Sequence, residues 1–446
     1  MPQSKQTRAR NIFDSDELVS QQELGSPISI PKKDSISPFQ ELEGGSQLQL
    51  RRPSFDGRNI AATTIVNRTI NKFSRTYDAI VNLSGGADFT SLEDAIKHVI
   101  AIGGGDIFVH AGTYVISKDI PALTVPVNII GTNIALTIIN FNSTSRNFVA
   151  NSGTPYTTGT ITSATGTAVV GSSTAWSGNI TAGQYIFIRT KWYQIAAVTD
   201  NTNLVLAEAF DENFATFPGA SYRIATLTRG INFESMTIKN STGTALAFTD
   251  VRDIVLNDVL LLSNNKGFVF TNCSHITINS VAVAVSTSNG FEMTNCGLAT
   301  IRGIASVGGG AVGGVLTDIE VGDFLACKSA AHSSDNGLKL TNCADLSMNY
   351  ILDNNVIGAE LVSGNNNITF NNSPVRNNSS DGIKLTATSD YCKVIGSHFD
   401  NNGGWGANNA ASTNDKCVFD GNSFNGNTSG TINDAGTGTI VGDNTL

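Results

Sequence analysis

With 446 residues, 15% of them charged and 44 of them glycine, the chain has room for two or three domains and a large core, and its many Asn, Ser and Thr favour an all-β protein rich in turns. Residues 1–75 carry 11 Lys and Arg against 8 Asp and Glu, a net of +3; the remainder carries 17 against 29, a net of −12. So acidic a body repels phosphate, which argues against nucleic acid as a partner.

The opening MPQSKQTRARNIF has no apolar core of the kind a secretory signal needs. No run of about 18 apolar residues occurs, so no membrane insertion is expected. Residues 1–76 are rich in Gln, Ser, Pro and charge without a sustained apolar period. They read as an arm that docks on a larger assembly.

From 77 to 150 the pattern changes. In FTSLEDAIKHVIAIGGG, Thr90 and Glu93 fit a capping box, and Leu92, Ala95, Ile96, Val99 and Ile100 form one apolar helical face. Gly103, Gly104 and Gly105 end that helix. Strands DIFVH, TYVI, VNII and LTIIN follow at short intervals. A single amphipathic helix ahead of such strands suits a cap on the open end of a stacked sheet.

Residues 151–224 alternate apolar and polar positions between Gly, Asn and Asp turns, as in ITAGQYIFIRTKWYQIAAVTDNTNLVLAEAF. They predict a small antiparallel β domain inserted between two coils of a larger one.

Residues 225–446 repeat. GFVFTNC at 267–273, GFEMTNC at 290–296 and GLKLTNC at 337–343 set a register in which glycines fall at 267, 290, 313, 337, 358, 382 and 406. Steps of 21 to 24 residues, short strands and no helical period select a parallel β-helix over other solenoids. Phe268, Phe291, Leu338, Ala359 and Ile383 then share one inward column; Phe270, Met293, Leu316, Leu340, Leu361 and Leu385 share another. Val269, Glu292, Val315, Lys339, Glu360 and Lys384 point outward between them. Asp250, Asn272, Asn295, Asp318 and Asn342 form a turn ladder beside a column of Val251, Cys273, Cys296, Ile319, Cys343, Gly364 and Thr388. Cysteine alternates there with Val and Ile, so the thiols read as core filler. Six cysteines without a CxxC pair give no disulfide framework and no zinc signature. No cofactor and no metal are expected.

These features resemble the pectin-lyase-like right-handed parallel β-helix superfamily, of the bacteriophage tailspike type. FTSLEDAI, GGGDIFVHAGTYVI, NIIG and TIINF carry the resemblance, with the coils from 225 onward; the module at 151–224 looks like one recurrent in phage tail and fibre proteins. The resemblance implies a right-handed single-stranded parallel β-helix with an N-terminal capping helix and an inserted β domain. It further implies a homotrimeric virion spike, made in a bacterial cytoplasm, that meets other tail or neck proteins through residues 1–76 and binds host surface polysaccharide. Two alternatives stay open: a polysaccharide-degrading lyase or glycoside hydrolase, and a structural neck, tail-adaptor or head-decoration protein.

For chemistry on sugars the densest carboxylates are Glu292, Asp318 and Glu320. If the pleat runs through Ile319, Asp318 and Glu320 face outward about 6.5–7 Å apart, a separation within reach of an inverting pair. Tyr391 and Trp405 are the candidate stacking surfaces for a glycan. Asp335 and Asp381, each shortly before a glycine, read as turn residues. His98, His110, His275, His332 and His398 are scattered and adjoin no nucleophile motif.

Overall fold

A computed structural model describes residues 77–210 and 220–445. Every strand between Ala79 and Asn151, and every strand from Thr228 onward, belongs to one parallel 28-stranded sheet that winds as a solenoid. The strand Thr228–Ser241 pairs with Val127–Gly131 and Thr137–Thr144 on one side and Val251–Leu262 on the other. The winding therefore resumes where it paused at Asn151.

Each coil turns at positions where the backbone is left-handed. In the coil that starts at Gly267 these are Asn272, His275, Ser280 and Val285, three, five and five residues apart. The same spacing recurs at Asp250, Asp253, Asp258 and Ser263, and at Asp318, Val321, Ala326 and Ala331. Asn and Asp tolerate this region best, which is why the Asp250–Asn342 ladder was legible. Three strand segments per coil make three faces, here 267–271, 276–279 and 281–284.

The glycine column holds throughout. Phe268, Phe291, Gly314, Leu338, Ala359, Ile383 and Ala407 pair in register, each just after its glycine. A Cβ on Gly358 would lie 2.3 Å from the Gly382 carbonyl oxygen, so close backbone approach requires glycine here. Inside, Phe248 stacks on Phe270 at 5.1 Å and 6°, and Phe268 on Phe291 at 5.1 Å and 20°. Each buried phenyl contributes about 1.5–3 kcal/mol from area alone.

The residues after the first corner depart from the sequence reading in one respect. A register shift at Leu340/Thr341 pairs Thr341 with Ser363, so one extra residue enters the next coil. Gly364 and Thr388 consequently occupy the corner ladder, with φ of 66° and 41°, and not the cysteine column. That column runs Cys273, Cys296, Ile319, Cys343, Asn365, Ser389 and Asn414. The asparagines do a further job: Asn365 Oδ1 accepts from Cys343 N–H at 3.1 Å and its Nδ2 donates to Leu340 O at 3.3 Å. A parallel ladder of Asn355, Asn378 and Asn402 closes the last corner in the same way.

The helix α1 (Leu92–Ala101) buries Leu92, Ala95, Ile96 and Val99 into the solenoid core beside the first strands. Its cap is Ser91, whose hydroxyl accepts from Asp94 N–H, and not Thr90. Glu93 reaches back to the Ser91 hydroxyl, which donates to its Oε2 at 3.0 Å, and not to a backbone N–H as a capping box would; its Oε1 accepts from the backbone N–H groups of Ser117 and Lys118 at 3.0 and 3.2 Å. The segment after the strand Gly112–Val115 offers these donors, and a sequence window cannot display them.

Six antiparallel strands from Thr160 to Ala225 form the second sheet. One of its apolar clusters holds Trp176, Ile186, Tyr193 and Ile224; Trp176 Nε1 donates to Tyr222 Oη at 2.9 Å. A second cluster, of Tyr185, Phe187, Trp192 and Ala225, lies apart from the first.

Candidate functional site

The outward columns of the first face carry the polar chemistry. Glu292 stands there between Val269 and Val315 of the adjoining coils. Its Oε1 receives Lys266 Nζ and Asn289 Nδ2, each at 2.7 Å. Glu320 lies beyond the next corner, in register with Gly297 and Ala344. Its Oε1 is 3.2 Å from Arg189, and Thr190 Oγ1 donates to its Oε2 at 3.0 Å.

Asp318 separates these two surroundings. Its φ is +53°, so the strand turns at this residue and the pleat does not run from Asp318 to Glu320. The separation expected from an unbroken pleat therefore does not apply. Among the described residues the Asp318 carboxylate has no hydrogen-bond or ion-pair partner. The three acidic residues have three different environments, and two of them are already paired.

Glu320 is part of a dock for the antiparallel sheet. Trp192 Nε1 donates to Asn272 O at 2.6 Å, and Arg252 donates from Nη1 to Trp192 O at 3.2 Å. Arg223 grips Asp250 with two bonds of 2.9 and 2.7 Å. Arg229 donates to Tyr185 Oη at 2.6 Å and pairs with Asp253 at 2.8 Å. A Cβ on Gly297 would lie 2.7 Å from Thr190 Oγ1, so glycine makes room for the sheet. Charge-assisted and bidentate bonds of this kind fix orientation. The ladder at Asp250 and Asn272 thus serves as a seat as well as a corner. The signal missed in the sequence was Arg and Trp in the inserted strands facing Asp and Asn at corner positions.

Trp405 and Tyr391 occupy separate positions. Tyr391 sits at a left-handed corner, 45% exposed, with Lys416 Nζ 4.9 Å from its ring centroid and 3.0 Å from its hydroxyl. The Lys416 ammonium is held well charged by its hydrogen bond to Asp415. Trp405 is half-buried at the start of Trp405–Asn409. A Cβ on Gly430 would come 2.6 Å from its ring, so only glycine fits beside it in the following coil.

Around Trp405 lies a polar strip that the sequence reading did not assemble. Asp381 Oδ1 accepts from Trp405 N–H at 2.8 Å, and Oδ2 accepts from Asn408 Nδ2 at 2.7 Å. Asp381 thus joins coils and does more than make a turn. Lys339, Glu360, Lys384 and Asn408 align in the neighbouring column. Glu360 in turn accepts from Asn336 at 2.8 Å and Thr386 at 2.9 Å.

The cysteines do not join this chemistry. All six are buried, and burial pushes the Cys343 thiol up to about 12 and that of Cys327 to about 11. Thiols so protonated are poor nucleophiles and poor ligands. Among the described residues no group of three or more His, Cys, Asp or Glu is placed to hold a metal ion.

No family model matches the chain, and no curated protein matches it in sequence. Its structure is similar to the tailspike protein gp49 from Pseudomonas phage LKA1, with a TM-score of 0.51 and 12% identity over 78% of this chain and 74% of that one. The tailspike gp61 of Pseudomonas phage phi297 aligns with a TM-score of 0.41 and 11% identity, over 75% and 77% of the two chains. The catalytic domain of a GH87 α-1,3-glucanase aligns with a TM-score of 0.48 and 9% identity, over 82% and 68%. The common ground with gp49 is the fold, a parallel β-helix.

Proposed function

We propose that the protein is a bacteriophage virion spike, a homotrimer that docks on the particle through residues 1–76 and binds a host surface polysaccharide along the strip around Trp405. The observation that carries the binding site is Trp405 itself, a half-buried aromatic side chain at the start of its strand, with its main chain held by Asp381 and the Lys339–Glu360–Lys384 column nearby. The solenoid shared with the gp49 tailspike supports the class of protein. Glycan rings stack on indole faces while their hydroxyls meet carboxylate and ammonium groups, and Glu360 and Lys384 supply those groups. Tyr391, on a different corner, offers a secondary contact.

The test is titration of the full chain against a panel of host capsule and lipopolysaccharide fragments. Trp405→Ala should weaken binding at least about tenfold, the loss of roughly 1.4 kcal/mol, while Glu320→Gln leaves it unchanged. Equal binding by wild type and Trp405→Ala would remove the strip from consideration. Particles assembled with a chain lacking residues 1–76 should lack the spike; normal incorporation would refute the docking role.

A polysaccharide-degrading enzyme is the second reading, favoured by the Asp318 carboxylate, which has no hydrogen-bond or ion-pair partner among the described residues. Release of reducing ends or unsaturated sugars, abolished by Asp318→Asn, would establish it. Incorporation into particles with no binding to any glycan would instead point to a structural adaptor.

A further inference from the structure

We propose that Lys266 and Asn289 form a self-modification site, at which the lysine amine and the asparagine carboxamide join in an isopeptide bond between neighbouring coils.

Three side chains from two coils meet here. Lys266 and Asn289 each immediately precede a glycine of the same column, and Gly267 N–H donates to Gly290 O at 2.8 Å across that step. Their side chains therefore leave neighbouring coils that lie about 4.8 Å apart. Glu292 follows two residues after Gly290, and its Oε1 takes Lys266 Nζ and Asn289 Nδ2, each at 2.7 Å. One carboxylate oxygen thus holds the amine and the amide side by side.

The carboxamide is held at its other end as well. Val312 N–H, one coil further on, donates to Asn289 Oδ1 at 3.2 Å. With a carboxylate on Nδ2 and an N–H on Oδ1, the amide has a single orientation. The side chains of Lys266 and Glu292 are only 28% and 20% exposed, so water is partly excluded.

The combination is specific to this corner among the described residues. Asn336 likewise precedes its glycine and donates to Glu360 at 2.8 Å, yet no ion pair joins a lysine to Glu360. Lys118 pairs with Asp94 and Lys416 with Asp415, but neither carboxylate accepts from an asparagine side chain.

These placements supply each part of an amide exchange. Lys266 Nζ gives up a proton to Glu292 and attacks Asn289 Cγ. Negative charge develops on Oδ1, where the Val312 N–H already points. Glu292 returns the proton to Nδ2, and the Cγ–Nδ2 bond breaks while the new Nζ–Cγ bond remains. An ammonium side chain and a primary carboxamide become a secondary amide and a free ammonium ion. Atoms and charge balance, and no oxidant or reductant is needed. The product closes one whole coil into a covalent ring, which restricts the unfolded chain as other cross-links do.

The experiment is mass spectrometry of the denatured full chain and then of its chymotryptic peptides. Cleavage at Phe268 and Phe270 parts Lys266 from Asn289 unless the two are joined. Wild type should be lighter than its sequence by one ammonia and should yield a branched peptide that links the two residues. Lys266→Arg should keep its full mass. Glu292→Gln should lower the yield of branched peptide at least about tenfold, through loss of the proton shuttle. Circular dichroism verifies that both variants fold. Wild type at full mass with two separate peptides would overturn the proposal. So would ammonia loss confined to a linear peptide, which marks cyclisation of Asn289 onto the backbone nitrogen of Gly290. A branched peptide at wild-type yield in Glu292→Gln would overturn the role of the carboxylate.

Discussion

Trp192, in the inserted sheet, donates its indole N–H to the main-chain carbonyl of Asn272, 2.6 Å away at a corner of the solenoid. The indole is 1% exposed and packs with Phe187 at 5.0 Å. Trp192→Ala should therefore cost about 3–5 kcal/mol. Hydrogen exchange should quicken in Tyr185–Ile188 and Lys191–Val198 while the strands of the late coils stay protected. Uniform loss of protection would mean that the sheet and the solenoid unfold as one.

The glycine column offers a graded comparison. Gly358→Ala places a methyl 2.3 Å from the Gly382 carbonyl oxygen, and the backbone of two coils has to separate. Gly178, with φ of +80°, has open space where a Cβ would go. Its replacement by Ala should cost only about 1 kcal/mol, from the left-handed backbone. Denaturant midpoints should rank Gly358→Ala well below Gly178→Ala; equal midpoints would contradict the close approach.

His332 makes stability depend on pH. Its ring is buried, with Nδ1 2.9 Å from Ala311 O and Nε2 3.2 Å from Ser306 Oγ. Nδ1 therefore carries the proton and Nε2 accepts. Burial lowers the pKa below the ordinary 6.5, opposed by the hydrogen bonds with Ser306 and Ala311 and, least, by the Asp335 charge. The unfolded chain thus binds the proton more readily than the folded one. The contribution is complete above pH 6.5 and is lost as pH falls toward the lowered folded value, at about 1.4 kcal/mol for each unit between the two. Urea midpoints measured between pH 7.5 and 4.5 should fall less steeply in His332→Asn, since Asn355 and Asn378 fill that ladder in the next coils. An unchanged slope would exclude His332 as the source.

The thiols supply a test of burial. None of the six cysteines should react with an aromatic disulfide reagent in the native protein, and all six should react after unfolding. Rapid modification of Cys273 or Cys296 in the folded chain would contradict their place in the core.

Much of the scaffold was legible in the residues. The echoes GFVFTNC, GFEMTNC and GLKLTNC are rungs, because a parallel coil repeats the same steric demand at the same place. Gly267 and Gly290 meet a close backbone, Phe268 and Phe291 fill the core, and Asn272 and Asn295 accept a left-handed corner. Local errors arose where the chain breaks its own period. The extra residue near Val362 moved Gly364 and Thr388 by one column, and Ser91, one position past Thr90, took the cap.

The candidate site was less legible. The partners of its residues lie far away in the chain. Glu320 meets Thr190 across 130 residues, which turns a presumed acidic pair into a seat for the inserted sheet. Asp381, read as a turn, ties Trp405 and Asn408 to the preceding coil. Periodicity, glycine placement and turn chemistry act over a few residues or one coil, so the residues alone set the winding, the core columns and the corners. Which outward groups are paired, covered or left open depends on how separate coils and the inserted sheet come together. Side-chain contact across such distances follows no repeat, and only the folded chain decides it.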